Sequence, residues 1–173
     1  MSIKYNRSLF KFNSKKARKQ LEQGGYPLLD HYNGRLVYQA HQWQAEHALS
    51  LREAWEYGFK QQYAVNPRSA LINMKRFAND MDNLIVVSGS SNMSRGSLSI
   101  YEFLPLNLAF VPVINAKYRI LENRYGLQLP KRVKRVMKFS DRKILEKYKN
   151  GIRLNKVRAW LITHGFHRFL MPF

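Results

Sequence analysis

The sequence predicts a small α+β protein in which helix predominates. Apolar residues recur at three- and four-residue intervals through most of the 173 positions, and only short segments are rich in β-branched residues. Asn33-Gly34 is the strongest local signal for a β-hairpin, with predicted strands over residues 26–31 and 36–40. The ten Phe, ten Tyr and three Trp residues supply the apolar surface of a folded core.

The first segment of the chain is basic, because residues 1–19 carry seven Lys or Arg side chains and no acidic one. Two interpretations stay open for its beginning: a flexible arm that orders on a polyanion, or an edge strand over residues 8–13. A helix over residues 15–23 should follow, because Ser14 is a good cap and Gly24-Gly25 ends the helix.

The apolar spacing becomes helical after the predicted hairpin. Ser50 and Glu53 have the spacing of a capping box, which predicts a helix over residues 51–61. The same spacing allows a separate helix over residues 43–48, ahead of this cap.

Asn66-Pro67 predicts the start of the next helix, since Asn is a good N-cap and proline is favoured at the first helical position. We expect this helix over residues 66–80. Its predicted buried side consists of Ala70, Leu71, Met74, Phe77, Ala78 and Met81. A strand over residues 84–87, a polar tip over 88–97 and a strand over 98–103 should follow as a hairpin.

The C-terminal region is predicted to be helical and basic. Its helices are expected at residues 113–124, after Pro130, from a cap at Ser140 to residue 150, and at residues 155–164. The last two have helix-turn-helix spacing, and a two-helix cap on the core is the alternative. The chain then divides into a basic N-terminal arm or helix (1–25), a core (26–116) and a basic helical region (117–173).

The predicted order of elements over residues 50–103 resembles the helix-turn-helix and wing of winged-helix DNA-binding domains. The resemblance is carried by the helix capped at Ser50, the helix 66–80, the strand 84–87, the tip Asn92-Met93-Ser94-Arg95-Gly96-Ser97 and the strand 98–103. It implies a winged-helix-like centre in which the helix 66–80 reads the major groove. It also implies DNA contacts by Arg68, Ser69, Asn73 and Arg76 on that helix, and by Arg95 at the wing tip. An ordinary amphipathic helix with a polar outside is the alternative.

The net charge of +19 is concentrated near the two ends of the chain. Residues 20–116 are nearly neutral, whereas residues 117–158 carry fifteen basic and three acidic side chains. Two dense basic segments around a neutral centre favour a polyanionic partner such as nucleic acid. The candidate phosphate contacts in these segments are Lys15, Lys16, Arg18, Lys19, Lys131, Arg132, Lys134, Arg135, Lys138, Arg153, Lys156 and Arg158.

These observations predict a protein that binds double-stranded DNA, as a transcription regulator or an accessory factor of a bacterium or mobile element. Three alternatives stay open: an RNA-binding or ribonucleoprotein component, a virion protein that packages nucleic acid, and a small basic ribonuclease. A homodimer or a larger nucleoprotein assembly is compatible with each of them.

Other classes of function find no support in the sequence. Cysteine is absent, which excludes disulfides and cysteine-based zinc sites. No histidine pair is accompanied by an acidic cluster and no phosphate loop of the P-loop type occurs, so we expect no metal, no cofactor and, apart from the ribonuclease alternative, no enzymatic activity. No apolar run reaches the ~18–20 residues of a membrane span, so we expect no membrane partner and a cytoplasmic location.

Overall fold

The computed structural model of the protein describes residues 3–95 and 111–149. In chain order the elements are a 3₁₀ turn Arg7–Phe10, α1 Ser14–Glu22, β1 Leu28–Leu29, β2 Leu36–Val37, a 3₁₀ turn Ala40–Gln42, β3 Trp43–His47, α2 Leu51–Ala54, a π-helical turn Trp55–Phe59, α3 Lys60–Val65, α4 Pro67–Ala78, a 3₁₀ turn Met81–Asn83, β4 Leu84–Ser88, α5 Gly89–Arg95, α6 Val111–Tyr125 and α7 Lys131–Lys149. Helix predominates over two small sheets, which confirms the predicted α+β class.

The first sheet is the predicted hairpin. β1 and β2 are antiparallel, with Leu28 opposite Val37 and Leu29 opposite Leu36, so the strands are shorter than expected. In the connection Gly34 has a φ of 70°, a left-handed conformation that glycine adopts without steric cost.

The second sheet pairs β3 with β4, from Trp43 opposite Ser88 to His47 opposite Leu84. The helix allowed over residues 43–48 was therefore wrong. Trp43 and His47 are four residues apart, a spacing found on one side of a helix and also between the two ends of this five-residue strand. The choice depends on β4, which lies beyond α4 in the sequence, and local spacing could not show that partner.

The start of the chain forms a 3₁₀ turn that packs on the core, so the edge strand over residues 8–13 was wrong. Phe10 is fully buried in this turn. Its ring centroid lies 5.8 Å from that of Phe59 and 6.4 Å from that of Phe77. These aromatic contacts attach the N-terminal segment to α4 and to the π-helical turn.

The helix caps largely follow the sequence. Ser50 Oγ accepts a hydrogen bond from Glu53 N at 3.2 Å, and Glu53 Oε2 accepts one from Ser50 N at 3.3 Å, which confirms the capping box. The cap of α1 is one residue earlier than predicted. Asn13 Oδ1, rather than Ser14, accepts a hydrogen bond from Lys16 N at 3.0 Å.

The helix that begins after this capping box extends past residue 61 to Val65, through the π-helical turn. Gly58 lies in that turn, where an added Cβ would be only 3.0 Å from Leu127 Cδ2. The carbonyl oxygen of Tyr57 accepts a hydrogen bond from Gln128 N at 2.6 Å. The π-helical turn therefore forms the contact site for the connection between α6 and α7.

The helix predicted over residues 66–80 is confirmed as α4. Asn66 Oδ1 accepts a hydrogen bond from Ser69 N at 3.1 Å, and Pro67 is the first helical residue. The buried side consists of Ala70, Met74, Phe77 and Ala78. Met81 lies beyond the helix end and is 38% exposed, so its predicted place in the core was wrong.

The strand predicted over residues 84–87 is confirmed as β4, which is almost entirely buried. The polar segment after it is not a loop, because its residues up to 95 form α5. Ser88 Oγ accepts a hydrogen bond from Ser91 N at 3.2 Å at the start of this helix. The strand predicted over residues 98–103 lies outside the described residues.

The helix predicted over residues 113–124 is confirmed as α6. The two helices expected on either side of Ser140 form one continuous helix, α7. Ser140 does not cap a new helix, because its hydroxyl donates to the carbonyl oxygens of Val136 and Met137 at 2.8 and 3.0 Å. The helix expected over residues 155–164 lies outside the described residues.

The main core lies between the N-terminal turn, the helices α2 to α4, the β3–β4 sheet and the helices α6 and α7. A smaller cluster of Leu28, Val37, Trp43 and Val86 joins the two sheets beneath α1. Across the described ranges, no helix has the length and the apolar character needed to cross a membrane.

Candidate nucleic-acid interface

Each carboxylate that the structure describes contacts a partner within the protein. Asp80 and Asp82 share the guanidinium of Arg124 at 2.6 and 2.8 Å, and Glu122 pairs with Lys134 at 2.7 Å. The other described carboxylates contact the following groups: Glu22 with Arg18 and Tyr26, Asp30 with the backbone of Tyr32 and Ser88, Glu46 with His47, Glu53 with Ser50 and Arg95, Glu56 with Lys60, and Asp141 with Arg119 and Asn115.

Many cations consequently have no carboxylate to neutralise them. Among the described residues, the salt bridges do not involve the exposed side chains Lys4, Arg7, Lys11, Lys15, Lys16, Lys19, Arg68, Lys75, Arg76, Lys131, Arg132, Arg135, Lys138 and Arg142. These fourteen cations belong to the N-terminal segment, α4 and α7, and two further exposed cations outside the salt bridges, Arg35 and Arg52, lie elsewhere in the fold. These surfaces repel like charges and attract polyanions.

The side chain of Asn79 brings the first two of these segments together. Its amide oxygen accepts a hydrogen bond from Asn13 N at 3.0 Å. Its amide nitrogen donates to the carbonyl oxygens of Lys11 at 3.2 Å and Lys75 at 2.7 Å. The backbone before α1 therefore lies against the last turn of α4, and cations from both segments adjoin.

The outer side of α4 carries exposed residues at helical spacing. It consists of Arg68, Ser69, Ile72, Lys75 and Arg76. At about 100° per residue these positions fall within an arc of about 120°. We call this side, together with the exposed Lys11, Lys15 and Lys16, the N-terminal–α4 surface.

The structure brings three of the four candidates on this helix to one side. Arg68, Ser69 and Arg76 are exposed, whereas Asn73 is half-buried at the border of the outer side. The candidate set omitted Lys75, which the helical period places about 20° from Arg68, at the edge of the arc away from Arg76. Ile72 is 48% exposed in the middle of these polar residues, where the helical period alone also places it.

Arg95 does not lie at an exposed tip, because only 3% of it is accessible. Its Nη1 donates to the hydroxyl of Tyr32 and, at 3.1 Å, to the carbonyl oxygen of His47. Its Nη2 lies 3.7 Å from Glu53 Oε2. Burial raises the pKa of the Glu53 carboxyl, and the charge of Arg95 opposes that shift. Arg95 thus joins β3, α2 and the first hairpin from inside the protein.

Arg18 is half-buried and also contacts other residues of the protein. Its guanidinium lies over the ring of Trp43, 4.7 Å from the ring centroid, and donates to the carbonyl oxygen of Ala40. The neighbouring candidates on α1, Lys15, Lys16 and Lys19, are exposed. The sequence alone does not distinguish Arg18 from these lysines, because its contact with Trp43 depends on the position of β3.

α7 presents a row of cations to solvent. Val133 and Met137 are buried, and Lys131, Arg135, Lys138 and Arg142 lie on the opposite side. At about 1.5 Å per residue the row is about 16 Å long. We call these four residues the α7 surface. Arg142 was not among the predicted contact residues, and the continuity of α7 past Ser140 places it on this side.

The remaining C-terminal candidates differ in their surroundings. Lys134 is engaged by Glu122, whereas Arg132 is exposed at the edge of the row. Arg153, Lys156 and Arg158 lie outside the described residues.

A groove of about 370 Å³ opens between α3 and α4. Its lining is formed by Gln61, Gln62, Val65, Asn66, Ser69 and Ala70. Ser69 belongs both to this groove and to the outer side of α4. The exposed lining of the groove is mostly apolar, so the groove borders the N-terminal–α4 surface without extending its polar groups.

Two histidines are buried and bonded to the backbone. His31 Nδ1 lies 3.3 Å from Val86 N and 3.2 Å from the Val86 carbonyl oxygen, and His47 Nε2 lies 2.9 Å from the carbonyl oxygen of Ala78. Burial lowers the pKa of His31 to about 4, and the charge of Lys117 acts in the same direction. Within the described ranges, no group of three or more His, Cys, Asp or Glu side chains could hold a metal ion.

No protein-family model, no curated protein and no solved structure matches this chain. The function therefore rests on the residues and geometry described above.

Proposed function

We propose that the protein binds double-stranded DNA, with the N-terminal–α4 surface against the duplex and α4 in the major groove. The observation that carries this proposal is the contact of Asn79 with the backbones of Lys11 and Asn13. It joins cations of two distant segments around an exposed helix side, and within the described residues none of these cations forms a salt bridge.

The affinity would come from the release of counterions from DNA. The N-terminal–α4 surface contains six cations: Lys11, Lys15, Lys16, Arg68, Lys75 and Arg76. If each contacts one phosphate, the logarithm of the binding constant should fall with the logarithm of salt concentration with a slope of about −5. Such a slope separates phosphate contact from weak, general attraction.

The specificity would come from the outer side of α4. Arginines such as Arg68 and Arg76 can form two hydrogen bonds to guanine. Ile72, exposed between them, can contact the methyl group of thymine. The hydroxyl of the exposed Ser69 can bind phosphate or a base edge. A reading helix of this kind suits a transcription regulator or an accessory DNA-binding factor.

The winged-helix resemblance stays a prediction. The helix capped at Ser50, which runs through α2, the π-helical turn and α3, would be its first helix, and α4 would be its second. β4 would supply the first strand of a wing. Arg95 is not one of the proposed contact residues, because its side chain is buried against Tyr32, His47 and Glu53.

A competition titration tests the proposal. Labelled duplex DNA bound to the full chain is challenged with unlabelled duplex, single-stranded DNA and hairpin RNA over a salt series. The variant R68Q/R76Q should bind duplex at least tenfold more weakly and reduce the salt slope by about two. The matched control R35Q/R52Q removes two exposed cations outside the surface and should change affinity much less. Equal losses in both variants, or a preference for hairpin RNA, would contradict the proposal.

A further inference from the structure

α6 lies between the two cationic surfaces. Toward α7, the amide nitrogen of Asn115 donates to Asp141 Oδ1 at 2.8 Å, and Glu122 pairs with Lys134 at 2.7 Å. Arg119 makes a further ion pair to Asp141. These contacts place α7 along one side of α6.

The end of α4 and the turn after it contact a different side of α6. Lys117 Nζ donates to the carbonyl oxygen of Met81 at 3.1 Å, and Arg124 pairs with Asp80 and Asp82. The ring of Tyr125 lies 5.3 Å from that of Phe77. At about 100° per residue, the centres of the two sets of contacts are about 150° apart around α6.

Both cationic surfaces face away from this shared helix. On α4, Phe77 points toward α6 while Arg68, Lys75 and Arg76 lie on the outer side. On α7, Met137 is buried and the row of four cations is exposed. Packed helix axes are about 8–10 Å apart, so α6 alone keeps the surfaces well separated. A straight duplex on one surface does not reach the other.

We propose that the α7 surface is a second nucleic-acid site, so that a single chain bridges two duplex segments. This inference rests on the proposed function for the first surface. The chemistry of the two sites differs. The row Lys131, Arg135, Lys138 and Arg142 contains only cations, spaced by about 4.5–6 Å along the helix, which suits the repeating phosphates of a backbone. The second site therefore binds without regard to sequence.

A capture experiment tests the bridge. A biotinylated duplex is fixed to beads, the full chain is bound to it, and a second, fluorescent duplex is added. The fluorescent duplex should be retained by the wild-type chain. The variant K131Q/K138Q should still bind the fixed duplex but retain at least tenfold less of the second one. R68Q/R76Q should also lose capture, and R35Q/R52Q should keep it.

The outcomes separate the two proposals. Wild-type chain that binds one duplex and captures no second one overturns the bridge and leaves the proposed function intact. If K131Q/K138Q captures as much of the second duplex as the wild-type chain does, the bridge is also overturned, because association between copies of the chain would then explain the capture. A complex of one chain with one sharply bent duplex, seen as a shortened end-to-end distance in energy transfer, would overturn it too. A wild-type chain that binds no duplex contradicts the proposed function itself. Circular dichroism confirms that each variant is folded.

Discussion

The amide of Asn79 fixes the start of α1 to the end of α4. Its oxygen accepts a hydrogen bond from Asn13 N at 3.0 Å across a separation of 66 residues. Its nitrogen bonds the carbonyl oxygens of Lys11 and Lys75. The Asn79 side chain thus holds the backbone at Lys11 beside the backbone at Lys75, so that two segments of positive charge lie close together. The repulsion between them is balanced by this contact and by the burial of Phe10.

Asn79→Ala should weaken both folding and polyanion binding. The substitution removes three hydrogen bonds at a partly exposed site, so we expect a loss of about 1–2 kcal/mol in the free energy of unfolding. Affinity for duplex DNA should fall because Lys11 is no longer held beside Lys75. Urea unfolding and a binding titration measure the two effects. The control is Asn92→Ala, which removes one exposed side-chain bond to Gln44 at 2.8 Å. Identical behaviour of the two variants would argue against this role for Asn79.

Arg95 should matter for stability rather than for binding. Arg95→Met leaves Glu53 buried without its cationic partner, and breaking a buried ion pair in this way costs about 3–5 kcal/mol. The measurement is urea unfolding, followed by a titration with duplex DNA under conditions where the variant is folded. The folded variant should bind duplex with wild-type affinity.

Arg68→Met is the matched comparison for Arg95→Met. Arg68 is exposed and has no carboxylate partner among the described residues, so the change in unfolding free energy should stay within about 0.5 kcal/mol. Its affinity for duplex DNA should drop. If Arg95→Met reduced binding more than Arg68→Met at equal folded fraction, the exposed role first predicted for Arg95 would have to be reinstated.

Local signals predicted the helices well. The cap and proline at Asn66-Pro67 and the capping box at Ser50 act within a few residues of the helix they start, so the sequence contains all of the relevant information. The hairpin around Asn33-Gly34 was predictable for the same reason. The prediction of a helix break at Ser140 was wrong because a serine can also bond back to its own helix.

Features that depend on distant partners could not be predicted. β3 was compatible with a helix until its pairing with β4 was known. Arg18 and Arg95 counted as exposed cations until Trp43 and Glu53 were placed beside them. The distribution of Lys and Arg along the sequence shows which segments are basic. Only the fold shows which of the cations are exposed to solvent and which, like Arg95, are bonded to other residues of the protein.

Gly58→Ala should destabilise the protein by about 1–3 kcal/mol through overpacking. The new methyl group would lie 3.0 Å from Leu127 Cδ2 and 3.3 Å from Leu127 Cα. It would push the α6–α7 connection away from the Tyr57 carbonyl. Thermal unfolding measures the effect. Gly89→Ala is the control, since its methyl group would meet only the Gln44 side chain at 3.7 Å. A neutral Gly58→Ala would show that the connection moves without cost.

His31 should make stability depend on pH. Burial lowers its pKa from 6.5 in the unfolded chain to about 4 in the folded one, with Lys117 contributing in the same direction. Between these values the unfolded chain binds more protons, so stability rises with pH. The contribution is fully present above 6.5 and is lost as pH falls to about 4, at a cost of about 3 kcal/mol.

His31→Asn should remove most of this pH dependence. The Oδ1 of asparagine can take the place of Nδ1 and accept the hydrogen bond from Val86 N, while carrying no charge at any pH in the window. Urea unfolding at several pH values between 4 and 6.5 measures the free energy of unfolding of both proteins. Subtracting one free energy from the other removes the contribution of the carboxylates, which titrate in both proteins. His41→Asn, at an exposed histidine, should leave the wild-type profile unchanged. If His31→Asn and wild type lost stability in parallel as the pH fell, the acid sensitivity would have to come from the carboxylates, since they are the groups that both proteins share.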